Sequence, residues 1–236
     1  MTPFALGLPT LAGADGRWLD NPVIREGLLT ATLETLAMTG LAGLVTLLLG
    51  IPLGVLLQAT SPGGFSPHAT AHRVLGGIVN VGRSMPFLIL MIAIIPFTRL
   101  VVGTTVGWQA AVVPLTIGAI PFYARLVETS LREVSSGKVE AALMMGATRA
   151  ELTRKVLLPE ALPGLVAGMT TTLIALVGYT AMAGAIGAGG LGAVAMTYGY
   201  NRFESDVMIA CVVVLVLLVQ LVQMLGDALA RRLDHR

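Results

Sequence analysis

The feature that most constrains this chain is a stretch from residue 161 to residue 201 that contains no charged side chain. In soluble domains about a quarter of the residues are commonly charged, whereas here 12% of all residues are charged and 55% are hydrophobic. Such a long uncharged stretch indicates a membrane protein. Because it is too long for one spanning helix, we interpret it as a helix followed by a glycine-rich, partly re-entrant segment.

Stretches apolar and long enough to cross about 30 Å of hydrocarbon occur five times along the chain. The sequence therefore predicts an all-α polytopic membrane protein with five transmembrane helices. The predicted spans cover, approximately, Leu28–Leu57, Val79–Val102, Ala110–Val127, Leu162–Ala185 and Val207–Leu229.

The placement of lysine and arginine predicts the orientation of these spans, because basic residues are enriched on the cytoplasmic side. With the N-terminus outside, the inside segments hold eleven basic residues and the outside segments hold four. We therefore predict an extracytoplasmic segment at 1–27, a membrane domain at 28–229 and a cytoplasmic tail at 230–236. The N-terminal segment lacks a basic region that leads into an apolar stretch, so we expect no cleaved signal peptide.

The second predicted span is unusually short and contains prolines. Only fifteen uncharged residues separate Arg83 from Arg99, roughly 22 Å of helix, and Pro86 and Pro96 lie near its two ends. Short, proline-interrupted spans are typical of the wall of a solute pathway. Arg83 either belongs to such a pathway or extends its side chain to the cytoplasmic surface, and both interpretations stay open.

The most charged part of the chain is the cytoplasmic segment between the third and fourth predicted spans, about residues 128–163. Glu140 in the expected first turn, with Arg154 and Lys155 in the expected last turn, predicts a helix from Val139 to about Lys155. Gly146 interrupts this helix and permits a bend or a close backbone approach, and two prolines then redirect the chain into the membrane. A modest apolar stripe is typical of a helix that docks in a groove of a soluble partner; it consists of Ala141, Met144, Met145 and Leu152.

This segment resembles the EAA loop of ABC importer permeases, whose pattern is Glu-Ala-Ala, three residues, Gly, nine residues, Ile, one residue, Leu-Pro. Both gaps are intact here, and valine replaces isoleucine. The resemblance implies that the loop forms a coupling helix that docks in a groove of an ATPase subunit. The residues assigned to ATPase coupling are Glu140, Ala141, Ala142, Met144, Met145, Gly146, Val156, Leu158 and Pro159.

Most of the chain, from about Leu28 to Leu229, is similar to the MetI-type permeases of methionine importers. The similarity is carried by NVGRSMPFLILMIAIIPFTRLVVGTTVG, AAVVPLTIGAIPFYARLVETSLREV and GYTAMAGAIGAGGLGAVAMTYGYNRF. It implies a type I ABC importer permease in the bacterial inner membrane, working as a homodimer with two ATPase subunits and an extracytoplasmic methionine-binding protein. We expect membrane lipid but no nucleic acid as a partner, and no cofactor on this chain, with ATP and Mg²⁺ used by the ATPase.

The function implied by this resemblance is inward movement of methionine, as the D- or L-isomer, by alternating access. The chain itself is then a permease subunit without an ATPase site, and the sequence contains no Walker A pattern. The residues expected to line the pathway are Ser84, Met85, Pro86, Tyr123, Tyr179 and Met182.

Two alternatives remain at this stage. Within the same class, the solute is another amino acid or a small quaternary amine. From a different class, an ion-coupled carrier would need membrane-embedded carboxylates, but Glu34 lies only about two turns into the first span, where an interfacial position is expected.

Other patterns in the sequence carry no chemistry in their context. Gly187, Gly189 and Gly192 spell the dinucleotide-binding fingerprint, yet no strand is expected before them, and a flexible loop at the outer face fits better. The histidines show no metal-ligand spacing, and the single Cys211 excludes an intrachain disulfide.

Overall fold

The structure, a computed structural model, describes residues 21–233. The described part of the chain is helical, with no β-strand, as the sequence predicts. Its α-helices are α1 (Leu28–Thr60), α2 (Ala69–Ser84), α3 (Phe87–Ala93), α4 (Ile95–Val102), α5 (Trp108–Arg132), α6 (Ser136–Met144), α7 (Arg149–Glu151), α8 (Leu158–Gly184), α9 (Gly190–Val194) and α10 (Ser205–Leu233). Segments of π-helix cover Val23–Gly27, Leu152–Leu157 and Ala195–Tyr200.

Four continuous helices within residues 21–233 are long and apolar enough to cross a membrane. They correspond to the first, third, fourth and fifth predicted spans, and a bent pair of helices supplies a fifth when it is counted as one span. The four continuous helices are Val23–Thr60, Trp108–Arg132, Arg149–Gly184 and Ser205–Leu233. Most of the predicted N-terminal segment and the last three residues of the predicted tail lie outside the described residues, and the tail begins inside α10.

The second predicted span is not the single helix that its apolar pattern suggests. It begins earlier, at Ala69, and is bent by 101° between α2 and α3. Met85 adopts an extended conformation at the bend, because the ring of Pro86 disfavours helical backbone in the residue before it. A second break follows at Ile94, after which Pro96 lies in the first turn of α4, where proline is tolerated.

The core is formed by α1, α5 and α8. Small residues on α1 allow close approach to α5: a Cβ at Gly50 would lie 2.7 Å from Cδ1 of Tyr123, and one at Gly54 would lie 2.5 Å from Cβ of Val127. Gly164 on α8 faces Ser130 of α5 in the same way. This close packing of small residues is the usual means by which membrane helices associate.

The helix α10 and one side of α1 bury little of their surface inside this subunit. In the most apolar 18-residue stretch of α10, only 11% of the residues are buried. The exposed side chains of this helix include Leu217 and Leu225. On α1, Leu29 and Leu48 are exposed in the same way. These faces therefore suit hydrocarbon or an apolar partner helix rather than water.

Candidate functional site

The cytoplasmic loop begins with α6, which ends in a tight turn at Gly146. The Gly146 N–H donates to the Leu143 carbonyl at 2.9 Å, and the Ala147 N–H donates to the Ala142 carbonyl at 3.1 Å. These two bonds form a Schellman motif, which requires left-handed backbone at the glycine, and Gly146 has φ of +81°. The predicted interruption at Gly146 is therefore present. We call Met145–Thr148 the coupling turn.

Three details of the predicted loop differ in the structure. The expected helix from Val139 to Lys155 is two helices, because the chain restarts at Arg149 with a capping box between Thr148 and Glu151. Glu140 is not in the first turn of α6, which starts at Ser136. Prolines do not redirect the chain afterwards, because a continuous helix runs from Arg149 to Gly184.

The helix α6 has one face inside the subunit and one face outside it. Ala142 is buried and packs with Leu152 and Leu157, so Leu152 does not belong to an exposed docking stripe as the sequence predicted. Met144 and Met145 are 91% and 83% exposed. The predicted coupling residues divide accordingly: Glu140, Ala141, Met144, Met145, Gly146 and Pro159 are exposed, while Ala142, Val156 and Leu158 are buried or half-buried.

Polar contacts fix this loop to the rest of the subunit. Lys138 of α6 forms an ion pair with Glu160 at the start of α8. The guanidinium of Arg149 donates to Oγ of Ser66, in the connection between α1 and α2, at 2.8 Å. These contacts therefore hold the loop against the rest of the subunit while the outer face of α6 stays exposed.

A buried ionic cluster lies at the C-terminal end of α5. The carboxylate of Glu128 is paired with Arg125 at 2.6 Å and with Arg132 at 2.7 Å, and the Glu128 side chain is 3% exposed. Arg125 also donates to Oδ1 of Asn80 at 2.9 Å, so the cluster joins α5 to α2. Sequence reasoning missed this cluster, although its i, i+3 and i, i+4 charge spacing was visible.

A pocket opens where the chain bends between α2 and α3. Its water-accessible volume is only about 40 Å³, and it is open to the surface of the single subunit. Phe87 and Tyr179 stack beside it, with ring centroids 4.6 Å apart and planes inclined by 10°. The pocket is lined by Gly82, Arg83, Met85, Phe87, Leu90, Gly118, Phe122 and Tyr179.

Not all of the predicted pathway residues lie at this pocket. Met85 and Tyr179 line it, and Ser84 and Pro86 are exposed beside Met85. Met182 is exposed one turn beyond Tyr179 on α8. Tyr123 is fully buried in the core instead, where its hydroxyl donates to the carbonyl of Leu165 at 3.3 Å.

The glycine-rich segment Gly187–Gly192 contains the turn after α8 and the first residues of α9, and it lies against α1; we call it the glycine turn. Glu34 accepts a hydrogen bond from the Gly190 N–H at 2.7 Å, and Oγ1 of Thr35 accepts one from the Leu191 N–H at 3.0 Å. These contacts join residues 156 positions apart, which a reading of local pattern does not reveal. A helix precedes this turn, so its glycine spacing does not occur in the context of a dinucleotide-binding motif.

Comparison with known families defines the class of protein to which this architecture belongs. The family model for the inner membrane component of binding-protein-dependent transport systems matches residues 50–236. The chain belongs to this family and is a membrane-spanning permease subunit of an ABC transporter. The predictions of an inner-membrane permease and of its all-α fold are thereby confirmed.

Individual relatives narrow the comparison. The chain is 57% identical to the probable D-methionine transport system permease protein MetI of Vibrio cholerae, over 89% of this chain and 93% of that protein. It is 50% identical to the protein of the same name from Pasteurella multocida, over 92% of this chain and 100% of that protein.

Solved structures give the same result for the fold. An inward-facing structure of the MetNI methionine ABC transporter contains a chain that is 50% identical, with a TM-score of 0.88, over 91% of this chain and 99% of that one. An amino acid ABC transporter solved with histidines is 20% identical with a TM-score of 0.71, over 87% of this chain and 93% of that one, and shows the fold alone.

Proposed function

We propose that this chain forms half of a homodimeric pathway through which methionine, as the D- or L-isomer, moves into the cell. The observation that carries the proposal is the 50–57% identity, over about nine-tenths of the chain, to permeases named for D-methionine transport and to the MetNI transporter. In this arrangement two ATPase subunits supply the energy, with ATP and Mg²⁺ acting on those subunits. An extracytoplasmic binding protein delivers the substrate.

The outer face of α6 is the proposed docking surface for the ATPase. Exposed methionines such as Met144 and Met145 are flexible and polarisable, which suits a groove on a protein partner. The inner face is fixed through Ala142 and through the ion pair of Lys138 with Glu160. A displacement of the docked helix would therefore move α8 with it, which is the movement that alternating access needs.

The pocket between α2, α3, α5 and α8 is the proposed position of the substrate pathway. It opens on the surface of the single subunit, so a second copy of the chain would complete its wall. The stacked rings of Phe87 and Tyr179 and the thioether of Met85 offer an apolar, polarisable surface. Such a surface suits the thioether side chain of methionine, because sulfur and aromatic edges attract each other.

The proposed orientation places the N-terminus outside and the C-terminus in the cytoplasm, and the distribution of basic residues supports it. The inside segments hold eleven basic residues against four outside, and still ten against four when Arg83 is counted with the pathway. Reporter fusions after Leu233 test it directly. We expect activity from a reporter that works only in the cytoplasm, and activity from a reporter that works only outside would contradict the five-span topology.

The substrate is tested by uptake in a methionine auxotroph that lacks its own importer. We expect uptake of methionine at low concentration only when this chain, its ATPase and its binding protein are all present. Restored uptake of another amino acid or of a quaternary amine, without methionine uptake, would contradict the proposed substrate.

A further inference from the structure

Arg83 is an arginine whose charge no ion pair within residues 21–233 neutralises. Arg83 lines the pocket at the bend and is an exposed residue. The salt bridges of the described residues involve Arg125, Arg132, Lys138 and Lys155, each with a glutamate, and Arg83 is in none of them.

The backbone next to Arg83 is packed against a helix that is long and apolar enough to span the membrane. A Cβ at Gly82 would lie 2.9 Å from Cγ of Pro121, and Pro121 is inside the helix Trp108–Arg132, one turn before Arg125. Arg83 is therefore at the level of the span α5 and not in a loop outside it.

Beside a spanning helix, a guanidinium that no described carboxylate neutralises is costly against lipid, and such residues normally face a water-filled cavity or a polar partner. The pocket that Arg83 lines is open and contains the stacked rings of Phe87 and Tyr179. The position of Arg83 therefore fits the wall of an aqueous pathway and does not fit a lipid-facing surface.

We infer that Arg83 binds the carboxylate of the amino acid substrate during its passage, an inference that rests on the proposed pathway at this pocket. A guanidinium presents a planar set of donors that matches a carboxylate in a bidentate arrangement. The apolar wall formed by Met85, Phe87 and Tyr179 is adjacent and contacts the substrate side chain. An arginine at this position selects for a free carboxylate and against a small quaternary amine, which carries the same charge as the arginine.

The first test uses the complete transporter, with permease, ATPase and binding protein, reconstituted in lipid vesicles. Arg83→Gln should reduce methionine uptake ten- to a hundredfold, because a charge-assisted hydrogen bond is lost, and Arg83→Lys should retain a substantial part of the rate. Arg73→Gln is the matched control, because Arg73 is exposed on the same helix and outside the pocket; it should transport like the wild type. Wild-type uptake by Arg83→Gln would overturn the inference.

The second test separates the charge from the fold. In a Cys211→Ala background, Arg83→Cys should transport poorly and react with water-soluble methanethiosulfonates. The aminoethyl reagent, which restores a positive charge, should recover uptake several-fold, whereas the sulfonatoethyl reagent should not. Recovery shows that the variant was folded. If the introduced thiol reacts with neither reagent, position 83 does not face water, and the inference is overturned. If both reagents restore uptake equally, the positive charge at position 83 has no role in transport, and the inference is again overturned.

The two proposals fail in different ways. A wild-type complex that carries another solute and no methionine contradicts the proposed substrate, while the reactivity of the introduced thiol still reports whether position 83 faces water. A wild-type complex that carries methionine, together with a fully active Arg83→Gln variant, contradicts only the role of Arg83.

Discussion

Gly146 in the coupling turn and Gly190 in the glycine turn share a left-handed backbone conformation but have opposite surroundings. Their φ angles are +81° and +72°. A Cβ at Gly146 would meet nothing within 4 Å, whereas a Cβ at Gly190 would lie 2.7 Å from Oγ1 of Thr35 and 2.8 Å from Cε of Met38.

The difference shows what each turn needs from its glycine. At Gly190 the fold itself needs both the conformation and the missing side chain. At Gly146 the isolated subunit needs only the conformation, so any requirement for a small residue has to come from a molecule outside the subunit. The following predictions test this contrast.

The largest effect is expected for Gly146→Leu in the coupling turn. The affinity for the ATPase should fall roughly ten- to a thousandfold, because a bulky side chain prevents close seating of the docked helix. The measurement is a titration of the detergent-solubilised permease with its ATPase, together with uptake in vesicles.

Gly146→Asn is the matched control, because asparagine tolerates the left-handed conformation better than leucine does. The asparagine variant should keep the thermal stability of the wild-type permease and lose less ATPase affinity than the leucine variant. If both variants assemble normally with the ATPase, Gly146 only ends a solvated helix and the docking proposal fails.

Gly190→Ala should be the most damaging change to the subunit itself. We expect a loss of about 2–3 kcal/mol of stability, because backbone strain adds to overpacking against α1. The thermal transition of the purified permease measures it. Gly103→Ala separates the two causes, because Gly103 has φ of +83° but open surroundings, and it should cost only about 1 kcal/mol. Equal losses of stability in the two variants would show that the close packing of Gly190 against α1 adds nothing to the cost of backbone strain.

Glu34→Ala should have a smaller effect on the same turn. The Gly190 N–H loses its carboxylate acceptor, which costs about 1.5–2 kcal/mol. Glu34→Gln keeps a carbonyl acceptor and should lose less than half as much by the same thermal assay. Similar losses for both variants would mean that the negative charge, rather than the hydrogen bond, stabilises the turn.

The smallest effect is expected at the ion pair between α6 and α8. Lys138 and Glu160 are 54% and 35% exposed, so water and salt screen their attraction. A double-mutant cycle with Lys138→Ala and Glu160→Gln should give a coupling energy below about 1 kcal/mol, decreasing with added salt. A larger value that persists in high salt would show that the coupling loop is held much more firmly than its exposure suggests.

The fold was predictable where the pattern extended over many residues. Long uncharged stretches specify spans regardless of their partners, and four of the five spans appear as continuous helices near the expected positions. The start of the second span was missed because α2 contains fewer apolar residues and two basic ones, Arg73 and Arg83. The sharpness of its bend depends on tertiary packing around Pro86 as well as on the proline itself.

The site was predictable only where one segment carries it. The glycine break in the cytoplasmic loop and the exposed methionines around it follow from a continuous motif. In contrast, the direction of a side chain in a span depends on which helices surround it. Tyr123 and Tyr179 look alike in sequence, yet the first is enclosed by α1 and α8 and the second lines a pocket. The contact of Glu34 with Gly190 depends on the tertiary fold alone.

The unbroken helical course from Arg149 to Gly184 has a mechanical consequence. Its 36 residues make a rod about 54 Å long that starts at the coupling turn, passes Tyr179 and ends at the glycine turn. A continuous helix of this kind acts as a lever, because a small tilt imposed at the cytoplasmic end becomes a sideways displacement at the far end. The π-helical segment Leu152–Leu157 near its base is the place where such a lever would bend first, because its hydrogen-bond register is irregular.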